Sequence, residues 1–152
     1  VEKFCKKAKA MGVAGLIAPD YPFDEEKGNG LLAACRENNL NFIPVIASTT
    51  PVDRMQALIK EASYFVYCMA RSGVTGPKTT IDVEVTDYLK RVRALCSLPI
   101  AVGFGISEKA HIETLKPYAD IAVIGSALIR EYADQSPEES LKAIEAFMQR
   151  LR

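Results

Sequence analysis

What this chain of 152 residues lacks narrows it first. It has no surplus of either charge, because 19 Lys+Arg balance 19 Asp+Glu. A nucleic-acid surface needs clustered excess Lys and Arg, so that partner class is excluded. No apolar run approaches the ~20 residues that cross a bilayer, so no membrane partner is expected. Histidine is confined to His111, and no two of Cys5, Cys35, Cys68 and Cys96 are spaced as CxxC. Neither ligand type therefore assembles a metal site. A disulfide framework is not expected at this size with this much core. The cysteines read as reduced, mostly buried thiols of a cytoplasmic protein. GxGxxG, the fingerprint of a dinucleotide-binding doubly wound sheet, is absent. The first residue is Val1 and not Met, and Val1–Met11 has the pattern of a helix interior. No signal-peptide pattern of basic start and apolar core is seen there. The chain is expected to begin partway into a larger fold.

What is present is a globular composition, 49% hydrophobic and 25% charged. Short apolar, β-branched or aromatic runs fall at Gly15–Ala18, Asn41–Ala47, Tyr64–Met69, Pro99–Phe104 and Ile121–Ile124. They are continuous, not alternating, which predicts strands buried on both faces. Between them lie helical stripes: Met55, Leu58, Ile59 and Ala62; Leu89, Val92, Leu95 and Cys96; Leu141, Ile144, Met148 and Leu151 with Phe147 beside them. Ser136-Pro137-Glu138-Glu139 spells a capping box. Thr50-Pro51-Val52-Asp53 repeats that arrangement, and Ser107 is placed to cap the helix after the fourth strand. Phe23–Glu37 is also read as a helix, interrupted by Gly28-Asn29-Gly30.

Strand followed by helix, about five times over, predicts a parallel α/β fold. A (β/α)8 barrel uses ~250 residues, or ~31 per unit, so 152 residues hold about five units. The strand ends support a barrel over a doubly wound sheet. Gly103-Phe104-Gly105-Ile106-Ser107 follows the fourth strand, and Gly125-Ser126-Ala127 follows the fifth and opens a short helix. Free N–H groups beside glycines form an anion site, and barrels commonly bind phosphate after their last two strands. Arg71, Gly73, Thr75 and Gly76 begin the longest connection, a candidate lid. Lys78 within it reads as a solvated lysine. Asp20 is the sole carboxylate at these strand ends, and acid–base catalysis usually needs two placed groups. Tyr67 reads as core packing, His111 as a surface residue, and Cys68 has no nearby base to activate it.

APDYP at 18–22, FVYCMARSGVTG at 65–76, PIAVGFGIS at 99–107 and ADIAVIGSALI at 119–129 occur in that order. Together they resemble the tryptophan synthase α-subunit family across the whole chain. The match is to the C-terminal part of that family's barrel, roughly strands 4 to 8. The resemblance implies a single barrel domain whose N-terminal strands are absent from this sequence. It implies retro-aldol cleavage of indole-3-glycerol phosphate to indole and glyceraldehyde 3-phosphate, in an α2β2 complex with a β subunit that carries the pyridoxal phosphate. This chain itself would need no cofactor. Carried onto matching positions, Gly76, Gly105, Gly125 and Ser126 would hold the phosphate, Phe104 would line the site, and Tyr67 would lie near the substrate. Arg71, Gly73 and Thr75 would belong to the lid, and Asp20, Tyr21 and Pro22 would face the β subunit. The family's two catalytic carboxylates come from around strands 2 and 3, so none is assigned here. The isolated chain is expected to be inactive. Ala70, Ser72 and the Gly28-Asn29-Gly30 interruption depart from the commonest family pattern. Two other readings remain open: a phosphate-binding barrel isomerase, and a non-catalytic phosphate-binding module.

Overall fold

A computed structural model describes residues 1–19, 21, 30–69, 81, 83–103 and 105–152. The chain opens with helix α1 (Glu2–Ala10), which has Glu2 in its first turn and Lys7 and Lys9 in its last. That arrangement complements the helix dipole. Strand β1 (Gly15–Ile17) follows, then α2 (Leu31–Glu37), which starts directly after Gly30. The rest of the expected Phe23–Glu37 helix lies outside the described residues.

The run expected as one strand, Asn41–Ala47, is two: β2 (Asn41–Ile43) and β3 (Val45–Ala47). Pro44 divides them because it has no N–H to give to a ladder. Its carbonyl still accepts the Tyr67 N–H at 3.0 Å. Pairing changes side at this point. β2 pairs parallel with β1, Leu16 opposite Phe42, whereas β3 pairs with β4 (Val66–Met69). The second sheet continues through β5 (Ile100–Gly103) and β6 (Ile121–Val123), in the order β3-β4-β5-β6 and parallel throughout.

Helices α3 (Val52–Glu61) and α4 (Val83–Leu95) cover one face of this sheet. Met55 and Leu58 of α3 and Val85, Tyr88, Leu89 and Val92 of α4 bury against Ile46, Val66, Cys68, Ile100 and Val102. The Tyr88 hydroxyl donates to the Ile46 carbonyl at 2.7 Å, which satisfies both groups inside the core. The opposite face is not buried as the sequence suggested. Met69 is 40% exposed and Ile121 41%. Continuous apolar runs mark strands that a complete barrel buries on both sides. Only the helix side is covered among the described residues.

Helix α5 (Lys109–Leu115) leads to β6, and α6 (Ser126–Tyr132) and α7 (Pro137–Leu151) close the chain. The α7 capping box forms as expected: Ser136 Oγ accepts from the Glu139 N–H, and the Glu139 carboxylate accepts from the Ser136 N–H. The Ser136 hydroxyl, which donates to that carboxylate, and then the Ser136 N–H hold the Glu139 carboxyl below its usual range. The other two caps do not form. Thr50 Oγ1 accepts from the Ala47 N–H at 3.0 Å, closing a turn on the preceding strand, and Pro51 takes the N-cap of α3. Glu108, not Ser107, precedes α5. The α7 stripe is also rotated from expectation. Phe147 and Leu151 are buried, but Leu141 is 70% exposed and Met148 42%. The buried face runs through the i, i+4 pair that meets Ala127, Ile112 and Ile124.

At the amino ends of the strands, Asp120 joins three elements. Its carboxylate accepts the Ile100 N–H at 2.8 Å and pairs with Arg93, whose guanidinium also donates to the Leu98 carbonyl. The Ile100 N–H and then Arg93 hold the Asp120 carboxyl below its ordinary value.

Candidate functional site

Parallel strands end together at their carboxyl sides, and loops leaving those ends collect side chains from distant parts of the sequence. Here β4 ends at Met69, β5 at Gly103 and β6 at Val123, in register across the sheet. On the face away from the helices, Tyr67 leans across the neighbouring strand toward Gly103. A Cβ built on Gly103 would overlap the Tyr67 hydroxyl and lie 2.9 Å from its ring carbon Cζ. Gly103 is therefore a glycine because the tyrosine occupies the space of a side chain. Tyr67 is half-buried on the face that a complete barrel turns to its packed interior.

Beyond Gly103 the chain turns sharply. Gly105 has φ +77°, a conformation that side chains disfavour, and it is exposed. Ile106 next to it is 1% exposed and packs into the core with Val102 and Leu115. The Ser107 N–H donates to His111 Nδ1 at 3.3 Å. His111 was expected at the surface but is only 3% exposed. The error has a physical cause. His111 is the third residue of α5, the position from which a side chain reaches back over the helix start, as the Glu of a capping box does. That spacing from Ser107 was the available signal.

After β6, Gly125 is exposed and precedes α6, and a Cβ there would meet nothing within 4 Å. The ladder of α6 begins with the Ile129 N–H on the Gly125 carbonyl, so the N–H groups of Ser126, Ala127 and Leu128 precede the first intrahelical bond. Gly105, Gly125 and Ser126 thus stand at the carboxyl ends of adjacent strands, with open space before Gly125. Tyr67 stands one strand away. Gly76, Phe104, Arg71, Gly73, Thr75, Asp20 and Pro22 lie outside the described residues. Tyr21 is described: it is half-buried, with its ring edge-on to Phe42 at 5.4 Å. It borders a cavity of about 200 Å³ between the ends of β1 and β3 and the start of α3, lined also by Ala18, Ala47, Thr50 and Arg54. Tyr67, Gly105, Gly125 and Ser126 do not line that cavity.

The thiols are structural. All four cysteines are free and buried. Burial pushes the Cys68 thiol up to about 11, which removes the thiolate that a nucleophile needs. Burial likewise raises the Tyr88 phenol far above its usual range. Among the described residues, no group of three His, Cys, Asp or Glu is placed to hold a metal ion, and no helix is long and apolar enough to cross a membrane.

Parallel β/α units with one helix-covered face, and glycine-rich turns closing the last two strands, define part of a (β/α)8 barrel. The comparisons name the barrel. The family model described as "Tryptophan synthase alpha chain" matches residues 1–152. The tryptophan synthase alpha chain of Synechocystis is 39% identical over the whole chain, and that of Desulforapulum autotrophicum is 42% identical over 91% of it. A structure of the tryptophan synthase a2b2 complex from Pyrococcus furiosus aligns with 99% of the chain at TM-score 0.85 and 29% identity. The chain belongs to the tryptophan synthase alpha chain family. It spans 57% of the Synechocystis relative and 60% of the Pyrococcus furiosus chain.

Proposed function

We propose that this chain is the phosphate-gripping part of a tryptophan synthase alpha chain acting in tryptophan biosynthesis. The protein containing it would cleave indole-3-glycerol phosphate to indole and glyceraldehyde 3-phosphate. The observation that carries this reading is the meeting of Gly105, Gly125 and Ser126 at the ends of β5 and β6, in a chain of this family. Backbone N–H groups and the Ser126 hydroxyl donate to the phosphate oxygens, and the absence of side chains at the glycines lets the anion approach. Phe104 and Gly76 complete that grip, and the Arg71–Thr75 segment closes over it as a lid. Tyr67, resting on Gly103, lies near the substrate.

Breaking the carbon–carbon bond requires a proton on the indole ring carbon and a negative charge near the ring nitrogen. The carboxylates that supply these belong to the family's strands 2 and 3, which have no counterpart in these residues. The 152 residues therefore form a binding half of the site, with no cofactor of their own. The β subunit, which receives the indole and holds the pyridoxal phosphate, docks against Asp20, Tyr21 and Pro22. The protein works in the cytoplasm.

Calorimetric titration with glycerol 3-phosphate tests the grip. Gly125→Asp should abolish binding, because it puts a carboxylate into the open space where the anion sits. Unchanged affinity in that variant would overturn the assignment. Indole release by the purified 152-residue chain should not exceed background; measurable turnover would show that the acids lie within it.

A further inference from the structure

His111 is an expensive residue where it stands. Its ring is 3% exposed, yet only one of its two nitrogens has a hydrogen-bond partner. Because the Ser107 N–H is a donor, Nδ1 must be the unprotonated nitrogen, and the ring proton is on Nε2. Nε2 is buried and has no partner among the described residues. A leucine of similar size would fill the space without a stranded N–H, so packing alone does not explain the histidine.

What the imidazole does hold is the turn after β5. Gly105 has its left-handed φ, Ile106 is sunk in the core, and the Ser107 N–H is fixed to Nδ1. The two residues after Gly105 are thus anchored on the side away from the strand ends. With those anchors in place, the backbone leaving Gly105 is held on its C-terminal side. We propose that His111 is a positioning residue for the phosphate grip, holding the backbone that leaves Gly105 through its bond to Ser107. This inference rests on the phosphate reading above and adds a residue that touches no substrate.

The test compares native protein with His111→Leu, His111→Met and His111→Asn. Asparagine places its amide oxygen on Cγ, where Nδ1 is attached in histidine, so it keeps the acceptor while filling less volume. The probe is inorganic phosphate, with Kd read from amide NMR shifts and with hydrogen exchange measured at Ser107. His111→Leu and His111→Met should weaken phosphate binding and speed Ser107 exchange, each by about tenfold, the scale of one lost hydrogen bond. His111→Asn should restore both to within about twofold of native. A residue that merely fills space would give the reverse order, with leucine and methionine tolerated and asparagine not. In native protein, the imidazole ¹⁵N spectrum should show the Nε2–H form. Equal phosphate affinity in native and His111→Leu protein, or failure of His111→Asn to rescue, overturns the positioning role alone. No phosphate binding by native protein overturns the phosphate reading and this role with it.

Discussion

The two faces of the β3–β6 sheet are made from the same strands and behave differently. On the helix side, Ile46, Val66, Cys68, Ile100 and Val102 are almost inaccessible, and the buried Tyr88 hydroxyl is satisfied by a strand carbonyl. On the other side the same strands present Val45, Ala47, Tyr67, Met69, Ala101 and Gly103, which are smaller on average and in part exposed. The difference shows which contacts a short arc of barrel completes by itself. Strand-to-helix packing is local and is formed in each β/α unit. Packing across the barrel interior needs strands from the far side of the circle. The helix-side core is therefore complete among the described residues, whereas the interior face stays partly open.

The largest effect that sharpens this comparison is expected at Leu89. Leu89→Ala empties fully buried volume on the helix side and should cost about 3 kcal/mol by urea denaturation. Met69→Ala on the opposite face should cost less than about 1 kcal/mol. Equal costs would break the comparison. Next comes Gly103→Ala, which drives a methyl into the Tyr67 hydroxyl. It should destabilise by about 2 kcal/mol, and Tyr67→Ala in the same chain should recover most of that loss. Additive losses would show that the two residues do not share that space.

A smaller effect is expected at Asp120. Its folded carboxyl titrates below the ordinary value of about 3.9, so its contribution is fully present above that pH and fades as pH falls through the lower, folded value. The side chain is 49% exposed, so screening limits the contribution to about 1 kcal/mol. Asp120→Asn should lower stability at pH 7 and leave it nearly unchanged well below pH ~3. A constant difference across that range would assign the loss to packing. The smallest effect is expected on α7. Leu141→Gln, 70% exposed, should stay within about 0.5 kcal/mol of native, whereas Phe147→Ala should not.

Much of this was legible in the residues, for reasons that differ from element to element. The strands were readable because both faces of a barrel strand are apolar, so the signal is composition and needs no phase. Helix α7 was readable in extent but not in orientation. Leu141 and Met148 share a period with Leu151, and sequence alone does not say which part of a wide apolar arc meets the neighbouring helices. The capping box at Ser136 was readable because both partners lie within four residues. At Thr50 the same motif was drawn off by the preceding strand, a competition visible only once Ala47 and Thr50 are close. Pro44 was plain in the sequence, but its power to divide a ladder depends on which neighbour each half meets. The turns after β5 and β6 were legible through their glycines. His111 was not, since its one signal was the four-residue spacing back to Ser107, and a lone histidine on a polar-looking helix reads as solvated.

The Arg93–Asp120–Ile100 junction sits at the start of β5, and Gly103 and Gly105 sit at its finish. Two residues separate Ile100 from Gly103, three steps or about 10 Å of extended chain. One strand therefore has a fastening at one end and a working tip at the other. Natural drift or deliberate redesign can retune the fastening, for heat or for acid, without editing the tip. A lineage moving between climates could change Asp120 and Arg93 many times while the turn at Gly105 kept the same shape.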